Sequence, residues 1–591
     1  MRLFMKISET QLVKISLLLF SVGCTGILFS SYDYQVPGAE SIFILCSLLI
    51  GACLLLYLFI NMRNTKARSV FLSLLFLASI IKVAGIFVKY GIFLGCDAFA
   101  EYGVINHLMV NGFLPFQSSL AEFPLSMIGV SSLSMATGLP PIVGVWNSID
   151  LLSAALIPVF VFLIFNQHFS ERIALLASLF VAYHPTNTIF GMSMTRENFA
   201  LLLLCIAIYI ISMQMNNKIR PEYVPVFLIV TVGFIGSHYT SAYYGVLVIT
   251  VLGLLCLILY LLRKWKSLRQ FYVIIPVMIL FLWWSNTIIH LFDLRTAENF
   301  LTRMWEFLTF QSPALREPVH YEIAWIVTKT DLLTMLYLVQ VLILVAGSVW
   351  FITLIIRRRL SYGQMVFASL AIALVALNGI WFLIPELSGA LFLSRILRYT
   401  ILFNSIAAGF FVASLLDIRL IRRKRVVTRN AIRMLVCLAV LVILVFPISA
   451  ELTKYIGFTD AEYPAELENE MYNIRSMTEI RLLGFVASTA PDGAPVVLEF
   501  PLSSALSFYQ HNCVPILMKK EMLLDPSAGQ GLIVLRRSLL EYGQYIYYPE
   551  NWQLTGPYVD TLSDKELVEL RHNVWSGSIV YDKGLHKIWY D

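Results

Sequence analysis

Long apolar segments dictate what this chain can become. Roughly thirteen of them reach the length a helix needs to cross the hydrocarbon core of a bilayer, about 20 residues. They fall at 11–31, 41–60, 70–93, 141–165, 172–188, 197–213, 222–236, 240–262, 271–291, 332–356, 364–384, 397–416 and 431–449. With 58% hydrophobic and 14% charged residues and a mean hydropathy of +0.76, the chain reads as a polytopic α-helical membrane protein, not a soluble globule. The net charge of +6 does not point to nucleic acid, because the basic residues sit in short loops between apolar segments. Six of the eight cysteines (Cys24, Cys46, Cys53, Cys205, Cys256 and Cys437) lie in or beside those segments. Cys96 and Cys513 are too few for a disulfide framework, and sequence spacing does not decide whether they pair.

Loop charge sets the expected orientation. With the N-terminus in the cytoplasm, alternation places Arg357-Arg358-Arg359 and the basic run from Arg419 to Arg433 inside, as the positive-inside rule requires. Arg2, Lys6 and Lys14 precede the first apolar run, and Ser21-Val22-Gly23-Cys24 resembles a weak lipoprotein cleavage box. We expect a retained first span. This topology puts three stretches on the outer face: 95–124, the long loop 292–331, and the tail 450–591. The tail alternates β-like runs (496–500, 532–535, 545–548, 579–582, 588–590) with helical stretches (463–489, 501–511), as in a small α/β domain.

The stretch 95–124 concentrates titratable groups beside the bilayer: Asp97, Glu101, His107 and Glu122. A spacing of four puts Asp97 and Glu101 on one helical face. Such a carboxylate can act as general base on an incoming hydroxyl or amide, or hold a divalent cation; an inert interfacial helix is the plain alternative. Other outer-face residues have a functional reading and a structural one. Glu197, in Thr195-Arg196-Glu197-Asn198, either serves a site or only favours a helix N-terminus. His238, in Gly236-Ser237-His238-Tyr239-Thr240-Ser241, either binds a phosphate or sugar or relays a proton, or these residues only cap two helix ends. Arg395 and Arg398 lie three apart at the outer start of a span, where planar guanidinium forks suit phosphate oxygens and snorkelling is the alternative. Arg303, Arg316 and His320 are weaker candidates in the long outer loop. Lys82 and Asp150 lie near mid-depth of two spans and are expected to pair or to line a polar cavity, a structural ion pair joining the two spans being the favoured reading.

An acid just after an early span, a histidine about ten residues on, then Gly112-Phe113-Leu114-Pro115 and Glu122-Phe123-Pro124, resembles the first outer loop of GT-C glycosyltransferases. That superfamily includes oligosaccharyltransferase catalytic subunits, protein O-mannosyltransferases and lipid A aminoarabinose transferase. The likeness extends to about residue 291 and implies a GT-C-like catalytic core over 70–291, preceded by two helices in 1–69. The segment 332–449 would hold the later spans, and 450–591 an extracytoplasmic α/β domain. The tail lacks the Trp-Trp-Asp-Tyr-Gly string of oligosaccharyltransferases, and its ending is similar to those of archaeal multispan proteins of GT-C type.

The resemblance implies a glycosyltransferase in the cell membrane. Its donor would be a polyprenyl-phosphate-linked sugar, and its acceptor an outer-face glycan, lipid or protein. Asp97 would be the catalytic carboxylate with Glu101 its partner. Arg395, Arg398, His238 and Arg196 would hold the donor phosphate, and Glu197 and His107 would assist substrate or metal. Mg2+ or Mn2+, at Asp97 and Glu197, is left open because many relatives work without metal. The alternatives are a transporter or flippase of lipid-linked glycans, a polysaccharide polymerase or ligase resting on Arg303, Arg316, Arg395 and Arg398, and a non-catalytic scaffold. A transporter calls for an internal repeat and a polar path through the bilayer, and the sequence has no such repeat.

Overall fold

A computed structural model describes residues 9–32, 38–60, 65–90, 104–105, 107–113, 124–185, 187–188, 196–216, 222–263, 276–279, 332–383, 385–416, 426–456, 495–498, 514–517, 532–536, 544–547, 558–576, 578–582 and 586–590. Apolar segments without internal breakers form helices, since a chain in lipid must satisfy its backbone internally. They are α1 (Glu9–Tyr32), α2 (Ala39–Leu56), α3 (Thr65–Tyr90), α4 (Leu125–Thr137), α5 (Asn147–Asn166), α6 (Glu171–Ala182), α7 (Arg196–Met215), α8 (Tyr223–Ser237), α9 (Tyr239–Arg263), α10 (Leu332–Ile356), α11 (Tyr362–Leu383), α12 (Pro385–Leu416) and α13 (Val426–Ile456). Among the described residues, 8 helices are long and apolar enough to cross a membrane. The protein is therefore a multi-pass helical chain. The expected spans at 271–291 and loop at 292–331 fall almost wholly outside the described residues.

Two elements depart from expectation. α4, which the hydropathy pattern did not single out, has 13 residues and is too short to span. It stops at Gly138, whose φ of 71° is the left-handed conformation of a helix C-terminus, and Pro140 and Pro141 follow. A π-helical turn, Pro141–Trp146, then leads into α5. α12 begins about a dozen residues before the apolar run at 397, so Arg395 and Arg398 lie inside a helix and not at its mouth.

α12 is the central helix and packs against α6, α10 and α11. Its small residues allow this. A Cβ on Gly409 would lie 2.7 Å from the Ile173 carbonyl oxygen and 2.8 Å from the Ala177 amide nitrogen, so α12 and α6 touch backbone to backbone. Gly409→Val is expected to destabilise the bundle by about 1–3 kcal/mol, read as a lower Tm in detergent, because backbone atoms cannot swing aside. This contact joins the C-terminal half of α12 to the N-terminal half of α6 and makes the two helices antiparallel. At the same end, a column of rings closes the core: Phe165–Phe367 at 5.6 Å, Phe169–Phe351 at 6.1 Å and Phe351–Phe410 at 4.8 Å.

Toward the C-terminus the chain forms a five-stranded mixed sheet, β1 (Pro495–Leu498), β2 (Val514–Leu517), β3 (Leu532–Arg536), β6 (Ser578–Asp582) and β7 (His586–Tyr590), in the order β2-β1-β3-β7-β6. β1 runs parallel to β2 and β3, while β7 is antiparallel to β3 and β6. β4 (Gln544–Tyr547) and β5 (Tyr558–Thr561) make a separate antiparallel pair. β2 contains Pro515, which removes a ladder donor and masks a strand in sequence; its place at the sheet edge makes the proline tolerable. α14 (Asp564–Ser576) starts with a capping box, in which Ser563 donates to Glu566 Oε2 at 2.8 Å from both its amide and its hydroxyl. The expected helices at 463–489 and 501–511 lie outside the described residues.

Candidate functional site

Buried polar side chains are costly in a bilayer, so their positions carry information. One cluster of them lies at the end of the bundle opposite the ring column. The first turn of α7 supplies Arg196, Glu197 and Asn198, all buried at 6%, 1% and 0% exposure. A glutamate is favoured there by the helix dipole, but three buried polar groups in a row need partners. Arg398 of α12 partners Glu197 and Asn198. Its Nη1 stands 3.7 Å from Glu197 Oε2, and its Nη2 donates to Asn198 Oδ1. The guanidinium is fully enclosed, and its planar fork spans two consecutive side chains of one helix.

Tyr399, the next residue, reaches another element. Its hydroxyl shares a hydrogen bond with Ser241 Oγ and also faces Glu197. Ser241 Oγ lies 3.1 Å from His238 Nδ1, and the Ser241 amide donates to the same nitrogen at 3.4 Å. His238 is the one-residue break between α8 and α9. Its backbone is extended (φ −158°, ψ 130°), and its carbonyl accepts the first helical bond of α9 from Ala242 at 2.9 Å. The ring therefore sits at an N-cap, buried, with Nδ1 as acceptor; a neutral imidazole then carries its proton on Nε2.

α4 arrives at the same junction, where Ser126 Oγ donates to the Ser237 carbonyl at 3.3 Å, one residue before His238. The chain leaving 95–124 is thus tied beside the polar set. Asp97, Glu101 and Glu122 themselves lie outside the described residues, as do Arg303, Arg316 and His320. His107 is described: its Nδ1 pairs with the Asn111 amide nitrogen at 3.1 Å, and its ring meets Phe113 edge-on at 5.0 Å. Of Arg395 only the backbone is described, one turn before Arg398 in α12.

Lys82 departs from expectation. Its Nζ donates to the Ala182 carbonyl and, at 3.0 Å, to Thr188 Oγ1, and it sits 5.4 Å from the Tyr183 ring centre. The partner is the C-terminus of α6, where unpaired carbonyls and the dipole attract a cation, and not the carboxylate of Asp150. That acid is buried in the first turn of α5.

The polar set thus unites Glu197, His238 and Arg398, which the sequence flagged separately, and adds Asn198, Ser241 and Tyr399, which it did not. The overlooked signal is the Arg-Tyr dipeptide within a buried helix. Among the described residues no three His, Cys, Asp or Glu side chains gather as metal ligands. Glu197 faces a guanidinium, a poor neighbour for a divalent ion, so these residues do not fit a metal cage.

No protein-family profile matches the chain, and no curated protein matches it. Solved structures do. The chain is similar to the oligosaccharyltransferase of Archaeoglobus fulgidus in complex with zinc and sulfate, at 11% identity over 87% of this chain and 73% of that one, with a TM-score of 0.49. It is similar to the same organism's AglB bound to an inhibitory peptide and a dolichol phosphate, at 12% identity over 83% and 74%, with a TM-score of 0.47. ArnT from Cupriavidus metallidurans bound to undecaprenyl phosphate matches at 12% identity over 88% and 97%, with a TM-score of 0.45.

Proposed function

We propose that this protein is a membrane glycosyltransferase of the GT-C type, taking a sugar from a polyprenyl phosphate or pyrophosphate and passing it to an acceptor at the outer face. One observation carries the reading. Buried Glu197, Asn198, His238, Arg398 and Tyr399 converge at one end of the bundle, beside the helix that follows 95–124. A transporter would call for a repeat and a polar path through the full depth; at the opposite end the described polar pairs, such as His168 with Ser212, are packed among phenylalanine rings.

In this reading the N-terminus is cytoplasmic, and the polar end, the loop 292–331 and the tail 450–591 face out. Residues 1–69 lead into a catalytic core over 70–291, and 332–449 complete the membrane part. Asp97, supported by Glu101, takes the proton of the acceptor hydroxyl or amide. The acceptor atom forms its bond to the anomeric carbon as the bond from that carbon to the phosphate oxygen breaks. The leaving polyprenyl phosphate keeps the electron pair. Its new charge is met by Arg395 and Arg196, with His238 Nε2–H as a further donor. A lipid-borne donor suits an outward site, because nucleotide sugars are cytoplasmic. His107 stands within the acid-bearing stretch as a substrate-positioning group.

The test is reconstitution into liposomes with polyprenyl-phosphate sugars, following transfer of radiolabelled sugar. Arg395→Ala is expected to raise the apparent KM for the lipid donor about tenfold or more, by loss of a charge-assisted phosphate contact. An unchanged donor dependence removes Arg395 from the phosphate site, and absence of transfer with every such donor removes the reading.

A further inference from the structure

Two adjacent polar residues in the middle of a buried helix need an explanation, because each has to be satisfied inside protein. Arg398 and Tyr399 lie in α12 at 0% and 1% exposure; both face Glu197, and each also reaches a neighbour of its own, Asn198 for Arg398 and Ser241 for Tyr399. Resting on the transferase reading, we infer that they are positioning residues. Arg398 fixes Glu197, Tyr399 fixes His238 through Ser241, and neither touches the donor.

The argument for Arg398 is geometric. Its Nη2 donates to Asn198, and its Nη1 faces the Glu197 carboxylate at 3.7 Å as an ion pair. A phosphate reaching this guanidinium would have to approach the Glu197 carboxylate as well, and like charges repel. An arginine that binds a lipid phosphate is better placed with its fork open, and Arg395 lies one turn nearer the helix start. What Arg398 does achieve is to hold a buried carboxylate in one orientation beside a guanidinium. Glu197 is then available as a fixed negative group beside the reacting sugar, where positive charge develops as the bond to phosphate breaks.

Tyr399 acts on the other arm. The Tyr399–Ser241–His238 chain terminates at Nδ1. Together with the Ser241 amide it keeps that nitrogen an acceptor, and so presents Nε2–H as a donor. A neutral imidazole N–H suits an anionic phosphate oxygen without adding a charge to the buried cluster. α12 thus serves as one frame for a carboxylate on α7 and an imidazole at the α8–α9 break.

The decisive experiment is a double-mutant cycle with two readouts that do not need turnover: Tm in detergent, and binding of polyprenyl monophosphate to protein in nanodiscs. Arg398→Gln and Glu197→Gln are each expected to lower Tm, and the double variant to recover most of the loss, because no lone charge is left buried. Between Glu197→Gln and the double variant, the Kd for polyprenyl monophosphate should stay within about twofold. Tm losses that simply add would show that the two residues do not act as a pair. Binding weakened about tenfold or more by Arg398→Gln in the Glu197→Gln background would make Arg398 a phosphate ligand and overturn the assignment. For the other arm, Tyr399→Phe should lower kcat about tenfold with an unchanged donor KM, as for groups that orient a reacting residue. A raised KM at constant kcat, or no change in either, overturns it. Should the wild type transfer no sugar at all, the transferase reading fails, yet the Tm and binding cycles still judge Arg398.

Discussion

Asp97→Asn leaves a folded protein that no longer transfers sugar at a useful rate, with a loss of about 10²–10⁴-fold expected for removing a positioned general base. The substitution keeps size and hydrogen-bonding capacity and removes only the charge and the basic oxygen. The expectation rests on the acid-bearing stretch 95–124 and on where the chain goes next. Ser126, at the start of α4, is bonded to the Ser237 carbonyl beside His238, so the chain that follows 95–124 begins beside the buried polar set. Glu101→Gln should cost less, as a partner and not the base. Labelled-sugar transfer in reconstituted vesicles, set against Tm and yield, checks both, and an Asp97→Asn variant with normal transfer would refute the catalytic assignment.

Lys82→Glu is expected to prevent accumulation of folded protein. It would set a carboxylate against the Ala182 carbonyl and the negative end of α6, in a site from which water is excluded. Stranding a buried charge costs about 3–5 kcal/mol even without reversing its sign. Lys82→Met makes the finer test. The Thr188 hydroxyl already reaches the Ala182 carbonyl at 3.4 Å, so an apolar side chain of similar length leaves that acceptor served. The loss should be only about 1–2 kcal/mol, near that of one hydrogen bond to a charged group. Were Lys82 the ion-pair partner of Asp150, Lys82→Met would orphan a buried carboxylate and cost as much as other broken pairs. Unfolding in detergent distinguishes the two outcomes.

The contrast at Lys82 shows where sequence reading stops. A mid-span lysine announces that it has a partner, but a backbone carbonyl at a helix end has no letter of its own. Asp150 was the only visible choice. Helix positions were legible because length and apolarity nearly determine them: α10 was expected at 332–356 and occupies Leu332–Ile356. α12 was expected to begin at 397, because Arg395 and Arg398 look like the end of an apolar run. For Arg398, burial within that helix is matched by Glu197 and Asn198, some two hundred residues earlier in the chain. Glu197, His238 and Arg398 stood out singly as polar groups at membrane ends. That they share one cluster, and that Tyr399 and Ser241 bridge it, is a property of packing that spacing along the chain does not encode.

Successive residues on a helix project about 100° apart, and this gives the Arg398–Tyr399 pair a mechanical character. Turning α12 about its own axis would draw one side chain off its holder while driving the other inward, so rotation is resisted at two points at once. A pull applied one turn upstream, at Arg395, would meet a keyed shaft and not a free spindle. In the proposed site, a donor phosphate held at Arg395 would thereby be registered against the acid and the imidazole as on a single rigid jig.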